Sequence, residues 1–246
     1  MMRVLEFDQL DSTNLEARRL WLGGEWESAP YAVIAGEQTG GMGRDGRVWH
    51  SPPGGLWMTV AWPCQRLELA ARGLALAVGL ATRDAIQAAT DVDAMIKWPN
   101  DLLVRGRKLC GILCQADSAL NPPVVFVGIG VNGNLRTDEL GSDLRTPATT
   151  LRDERGRAVN LATLRDAILA QLERRLAIFE TEGLKPMASE VNAYLAWMGG
   201  RVIVRNPGTA EDLEGTLLGI DEDGRLLIES RGAVTPVVSG ELRQPS

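Results

Sequence analysis

Residues 67–90, LELAARGLALAVGLATRDAIQAAT, constrain the fold more than any other stretch. The run is rich in Ala and Leu and too long for a strand, so it reads as a buried helix. Its most apolar part spans only ten residues, 73–82, between Arg72 and Arg83, whereas a helix that crosses a bilayer needs about 20. The helix must therefore bury itself against other protein layers. Three apolar runs supply strands for it: YAVIAGEQT (31–39), GLWMTVAW (55–62) and VVFVGIGVN (124–132).

The remaining elements follow local signals. Residues 12–22 read as a short helix, with Thr13 as N-cap and Glu16 closing a capping box. Residues 94–104 and 105–116 read as a hairpin around Arg105–Gly106. Residues 160–183 place Leu164, Ile168, Leu172, Leu176 and Phe179 at helical spacing, between a capping Asn160 and a terminating Gly183. A last helical stretch lies near 186–197. The pattern then changes to short β runs, RVIVRN, EGTLLGI and RLLIES, separated by turns such as Asp223–Gly224. The expected fold is α+β rather than alternating βαβ, in two units, 1–198 and 199–246.

Charge and cysteine content narrow the function classes. The net charge of −6 and a pI near 5.0 argue against a general binder of nucleic acid or anionic membranes. Three cysteines (Cys64, Cys110, Cys114) are too few for a disulfide framework, and a single histidine, His50, leaves no zinc set. The cysteines read as core residues and His50 as a bystander. The N-terminal MMRVLEFDQLDST lacks the apolar centre of a signal peptide, so a cytoplasmic protein is expected.

Four clusters carry chemistry: DSTN (11–14), EQTGGMGRDGRVWHSP (37–52), KWPNDLLVRGRKLCGIL (97–113) and GIGVN (128–132). The second can be forced into G-x-G-x-x-G, but no helix start follows it, which argues against a dinucleotide fold. Arg44, Arg47, Lys97 and Lys108 concentrate cations on glycine-bearing turns beside Trp49 and Trp98. That combination suits a nucleotide: arginines for phosphates, backbone N–H groups for oxygens, an indole for the purine face. Taken singly the features have plainer readings. Ser12 and Thr13 can be helix caps, Trp98–Asp101 an ordinary tight turn, Arg105 and Arg107 a solvated hairpin end. Phe179, Tyr194 and Trp197 read as core.

Together the clusters resemble the biotin–protein ligase family. Its Gly-Arg loop corresponds to Gly41–Trp49, its Lys-Trp-Pro-Asn-Asp motif to Lys97–Asp101, and its Lys-x-x-Gly-Ile-Leu to Lys108–Leu113. Its Asp-Ser-Thr-Asn is at Asp11–Asn14 and its Gly-Ile-Gly-x-Asn at Gly128–Asn132; the final SGEL (239–242) resembles the family's end. The resemblance implies a class II synthetase-like catalytic domain with a mixed sheet flanked by helices, followed by a small SH3-like β-barrel. It implies a two-step reaction. Biotin and ATP give biotinyl-5′-AMP and pyrophosphate, and a lysine of a biotin carboxyl carrier domain then takes the biotin.

The first step brings two anions together. At about 3.5 Å they repel by about 5 kcal/mol at an effective dielectric near 20, which fixed cations and Mg²⁺ carried by ATP offset. The resemblance assigns Lys108, Arg44 and Asp101 to catalysis, with Asp101 accepting the acceptor lysine's proton. It assigns biotin to Ser12, Thr13, Asn14, Gln38, Gly41, Met42, Gly43, Arg44 and Lys108. Adenylate falls to Arg44, Arg47, Trp49, Lys97, Asn100 and Asn132, with no metal held by a protein cage. Met42 departs from the family's usual arginine. If that arginine acts through its backbone N–H, little is lost, and the retained Arg44 and Arg47 favour this. If it acts through its guanidinium, adenylation slows or the adenylate leaks.

The short lead before DSTN and the pI near 5.0 predict no DNA-binding repressor domain; no membrane association is expected, and the choice between monomer and homodimer is left open. The glycines of residues 40–47 suggest a loop that orders on binding. A lipoate–protein ligase shares the fold class but fits the Gly-Arg loop and Lys-Trp-Pro-Asn-Asp less well. A non-catalytic module that binds biotin or its adenylate remains a second alternative, and a purely structural protein the least favoured.

Overall fold

The computed structural model describes residues 2–24, 30–70, 73–140, 147–206, 208 and 211–245. Its first sheet has seven strands: β1 (Arg3–Leu10), β2 (Tyr31–Gln38), β3 (Leu56–Pro63), β4 (Met95–Lys97), β5 (Asp101–Val104), β6 (Arg107–Asp117) and β7 (Val124–Val131). They are ordered β1-β2-β3-β7-β6-β5-β4. β1 pairs parallel with β2 and every other pairing is antiparallel. The sheet is mixed and flanked by helices, as the resemblance implies.

β1 is absent from the sequence reading. Its residues alternate only weakly between exposed and half-buried, because it is the sheet edge. It makes the N-terminus a βαβ unit through α1 (Thr13–Leu22), so the fold is not wholly of the segregated kind expected.

The apolar run 67–90 is interrupted. It forms α2 (Leu67–Ala70) and α3 (Leu74–Thr90), with Gly73 left-handed at φ +80° between them; residues 71 and 72 lie outside the described residues. α3 packs with α5 (Leu161–Glu182) on one sheet face, among Met58, Val60, Val127, Ile129, Cys110 and Ile112. At both ends of α5 the sequence signals hold: Asn160 accepts the Thr163 N–H, and Gly183, at a φ of +67°, donates its N–H to the Phe179 carbonyl. α1 covers part of the opposite face, where Ala17 and Trp21 meet Tyr31, Val33 and Phe126.

Three local expectations are corrected. Thr13 is not a cap but the first residue of α1, and no capping box forms: Glu16 binds Arg19 at 2.8 Å. The stretch 94–104 is not one strand, since residues 98–100 turn the chain between β4 and β5. The Arg105–Gly106 hairpin does form, with both residues at positive φ, as a two-residue turn requires. The last helical stretch is shorter than expected, a 3₁₀ turn (Lys185–Met187) and α6 (Ala188–Ala193); α4 (Leu151–Arg155), upstream of α5, is a further short helix that the sequence reading did not identify.

The C-terminal β runs form a second, antiparallel sheet of five strands. Besides β8 (Arg201–Arg205), β9 (Leu213–Ile220) and β10 (Leu226–Ser230), it contains β11 (Ala233–Val237) and β12 (Glu241–Arg243), which the sequence reading did not identify. It is locked to the first sheet. Trp98 Nε1 donates to the Gly224 carbonyl at 3.0 Å, and Asn192 of α6 exchanges two hydrogen bonds with Ile220. Val202, Leu217, Leu226 and Ile228 continue the core of the first sheet.

Candidate active site

The site lies on the sheet face that α1 only partly covers. Cross-strand register aligns Ala35, Trp57, Gly130, Gly111, Asp101 and Lys97 in one row, and directly opposed residues share a face. A bulge between Leu102 and Leu103 lets Lys108 oppose Leu103. Without it Lys108 would point to the other face, because side chains alternate along a strand. The bulge thus places Lys108 Nζ 2.6 Å from Asp101 Oδ1, with Lys97 Nζ 4.0 Å from Asp101 Oδ2.

Residues 41–49 are a hairpin rather than an open loop. Gly43 N donates to Arg47 O, Trp49 N donates to Gly41 O, and Met42 bridges Val48. Asp45 and Gly46 turn the tip at φ 57° and 70°. Gly41 is required by close approach: a Cβ there would lie 2.4 Å from the Trp49 carbonyl oxygen. The hairpin folds Trp49 onto the two glycines of the ladder row and within 5.0 Å of Lys108 Nζ. It also brings Arg44 to Asn100 Oδ1 at 3.3 Å, while Asn100 Nδ2 donates to Ile112 O.

The cavity beneath the hairpin has a volume of about 730 Å³. Its wall includes Ser12, Thr13, Asn14, Gln38, Met42, Gly43, Arg44, Arg47, Trp49, Lys97, Asn100, Asp101 and Lys108. Of the residues singled out from sequence, Gly41 and Asn132 do not reach the wall. Gly41 is packed behind the hairpin. Asn132 is buried and donates to the carbonyls of Lys108 and Thr149, fixing the strand that carries Lys108. Arg47 is exposed and pairs with Asp45. His50 is exposed, outside the wall.

Electrostatics are concentrated at one end. Burial pulls the Lys97 ammonium below the ordinary lysine range, Asp101 opposes the shift and Lys108 adds to it. Burial pushes the Cys114 thiol up to about 12 and raises Cys110 as well, so neither is a nucleophile. Glu241 of the second sheet also lines the cavity. Burial opposes its ionisation, but Arg243, Lys97 and Arg47 outweigh that and hold it below its usual range.

Several wall or supporting residues escaped sequence reasoning. Arg205 and Asn206 reach the cavity from the second sheet, a contact no local pattern encodes, as do Ser239 and Gly240 of SGEL, which the sequence reading matched to the family without giving them a place in the site. Thr59 and Ser51 are buried behind Thr13 and Gln38. A threonine in the apolar strand LWMTVAWP was the available signal for Thr59. Among the described residues no group of three or more His, Cys, Asp or Glu side chains could hold a metal, and no helix is long and apolar enough to cross a membrane.

Comparison with known proteins agrees with this geometry. Residues 6–134 match the biotin/lipoate A/B protein ligase family. A bifunctional ligase/repressor of Bacillus spizizenii is 33% identical over 85% of this chain, which spans 65% of that relative's length. A biotin–[acetyl-CoA-carboxylase] ligase of Paracoccus denitrificans is 35% identical over 89% of this chain and 90% of its own. The biotin protein ligase of Aquifex aeolicus, solved with biotin and ATP, superposes with a TM-score of 0.86, at 26% identity over the whole of both chains. The chain belongs to the biotin/lipoate A/B protein ligase family.

Proposed function

We propose that this chain is an ATP-dependent biotin–protein ligase. It activates biotin to biotinyl-5′-AMP with release of pyrophosphate, then transfers biotin to a lysine of a biotin carboxyl carrier domain. The observation that carries the reading is the Lys108–Asp101–Lys97 cluster at one end of a cavity whose other end is lined by Ser12, Thr13 and Gln38. The polar end suits the ureido ring and the cationic end the carboxylate and α-phosphate. Residues 1–198 form the catalytic unit in this reading, and 199–246 an SH3-like unit that closes one side of the cavity.

Lys108 is committed to Asp101 at 2.6 Å. The biotin carboxylate and the α-phosphate together present more negative charge than Asp101, so they draw the ammonium toward themselves. The carboxylate oxygen then bonds phosphorus as the bond to pyrophosphate breaks. With Lys108 drawn away, Asp101 can accept a proton from the incoming lysine, which is almost wholly protonated near neutral pH. The free amine attacks the carbonyl carbon, the amide forms and AMP leaves. Arg44 and Asn100 hold the phosphate side, and Trp49 covers the adenylate and keeps water from the anhydride. Asn132 acts through Lys108's backbone.

Met42 contributes backbone to the hairpin and its side chain is 40% exposed, which favours the reading that the main chain at this position is what matters. Mg²⁺ arrives on the nucleotide, as MgATP. No DNA or membrane partner is proposed, and the chain acts in the cytoplasm as a monomer or homodimer. Incubation with biotin, MgATP and a carrier domain should add one biotin to one lysine, read by mass. Labelling with lipoate in preference to biotin would establish the lipoate ligase reading instead, and binding of biotin without labelling the non-catalytic one.

A further inference from the structure

Behind the polar end of the cavity runs a chain of hydrogen bonds whose direction can be worked out atom by atom. Asn14 Nδ2 donates to Gln115 Oε1 at 2.9 Å, so its Oδ1 points the other way and accepts from the Thr59 hydroxyl. Thr59 has only one hydrogen, now spent, so toward Thr13 it can only accept. Thr13 Oγ1 lies 2.8 Å from Thr59 Oγ1, a separation that requires a hydrogen between the oxygens. Thr13 must supply it.

The alternative acceptor, Gln38 Oε1, is farther at 3.1 Å and already takes the Thr13 backbone N–H at 2.8 Å. Gln38 is itself oriented from behind, because its Nε2 donates to Ser51 Oγ and Ser51 donates to the Trp49 carbonyl. Thr13's hydroxyl hydrogen is therefore turned into the protein. Among the described residues nothing else donates to its oxygen, and Thr13 lines the cavity.

We infer that Thr59 and Gln115 are positioning residues that set the polarity of this pocket, so that Thr13 meets a ligand as a hydrogen-bond acceptor and selects a head group bearing N–H. Thr59 is fully buried, and Gln115 sits at the surface, so neither is a wall residue of the cavity. The inference rests on the proposed biotin ligase reading and deepens it. A cyclic urea carries two N–H donors, whereas a dithiolane ring carries none. The same fold thus discriminates the two acids by hydrogen-bond direction, since an acceptor left unpaired in a closed pocket is costly.

The test reverses the direction of the chain from Gln115, a residue outside the cavity wall. Gln115→Glu keeps an acceptor facing Asn14. Gln115→Lys offers only donors, so Asn14 must turn its oxygen outward, Thr59 must donate to Thr13, and an acceptor site of Thr13 is filled. Calorimetric binding of biotin and of desthiobiotin, which keeps the urea and lacks the thioether ring, reads the pocket alone. Expected is a rise in Kd of roughly tenfold for both ligands in Gln115→Lys, with Gln115→Glu close to the unaltered protein. KM for biotin in pyrophosphate exchange should follow, with kcat little changed. Thr59→Val should weaken both ligands and Thr59→Ser restore them. Equal effects of Lys and Glu at position 115, or unaltered binding in Thr59→Val, would overturn the inference. If the unaltered protein binds biotin but catalyses no exchange, the ligase reading falls, and the contrast at position 115 still judges the polarity.

Discussion

The indole of Trp49 lies so close to Gly130 that a Cβ on that glycine would come within 2.6 Å of Nε1. Gly111, directly opposed to Gly130 across β6 and β7, is nearly as close: a Cβ there would lie 2.9 Å from the far side of the ring. Two glycines in register make a flat floor on a sheet face otherwise filled with side chains. Among the described residues the buried indole nitrogen has no hydrogen-bond partner, so the contact with the two glycines is one of shape.

Gly130→Ala places a methyl where the indole lies and should lift the hairpin. KM for ATP is expected to rise by roughly tenfold, a loss on the scale of one overpacked contact. Trp49→Ala should cost a similar amount. The double variant should lose little more than either single one, because both remove the same contact. Additive losses would show that the floor and the indole act separately.

Lys108→Ala removes the cation at the meeting point of the two anions. Biotin-dependent pyrophosphate exchange should fall by at least about 100-fold, in line with the loss of one electrostatic stabiliser. The melting temperature should hold, since the side chain's partner Asp101 keeps Lys97 nearby. Exchange at the normal rate would remove Lys108 from the reaction.

Arg44→Gly breaks the link between the hairpin and Asn100. The adenylate should escape before transfer, and lysines on bystander proteins should become biotinylated in a mixture. Labelling confined to the carrier domain would mean that retention depends on other residues.

Lys97 gives a pH signature. Its pKa is lowered below the ordinary 10.5 by burial, so the unfolded chain binds the proton more tightly than the folded one. Stability therefore rises with pH through the window between the folded value and 10.5, and the burial cost is fully present below that window. Lys97→Met should melt higher than the unaltered protein at pH 7, with the advantage shrinking toward pH 10.5. Calorimetry at both pH values checks this. An advantage that grows with pH would reverse the assignment.

Gly224 tests the junction of the two sheets. At φ +78°, with a Cβ that would sit 2.8 Å from Gly73 Cα, it tolerates no side chain, and its carbonyl holds Trp98. Gly224→Ala should destabilise the protein by about 1–3 kcal/mol, read as a lower denaturant midpoint. Because Trp98 neighbours Lys97, biotin activation should weaken as well.

The sequence by itself determined the elements whose signals are local. The cap and stop of α5, the Arg105–Gly106 turn and the three apolar strands depend on neighbours a few residues away, and their periodicity is readable without a fold. The order of the motifs likewise pointed to the family. Tertiary structure decided what depends on pairing across the sheet. The bulge that turns Lys108 toward Asp101, and the parallel edge strand β1, arise from register, which a single strand does not specify. Thr13 reads as a helix cap because its neighbours in sequence allow it. In the fold, Gln38 takes the orphan N–H at the start of α1 from a different strand, and the hydroxyls of Thr13 and Thr59, on another strand, share a hydrogen bond. Such partners lie 25 and 46 residues away in the chain, beyond the reach of any local pattern, and only packing brings them within hydrogen-bond distance.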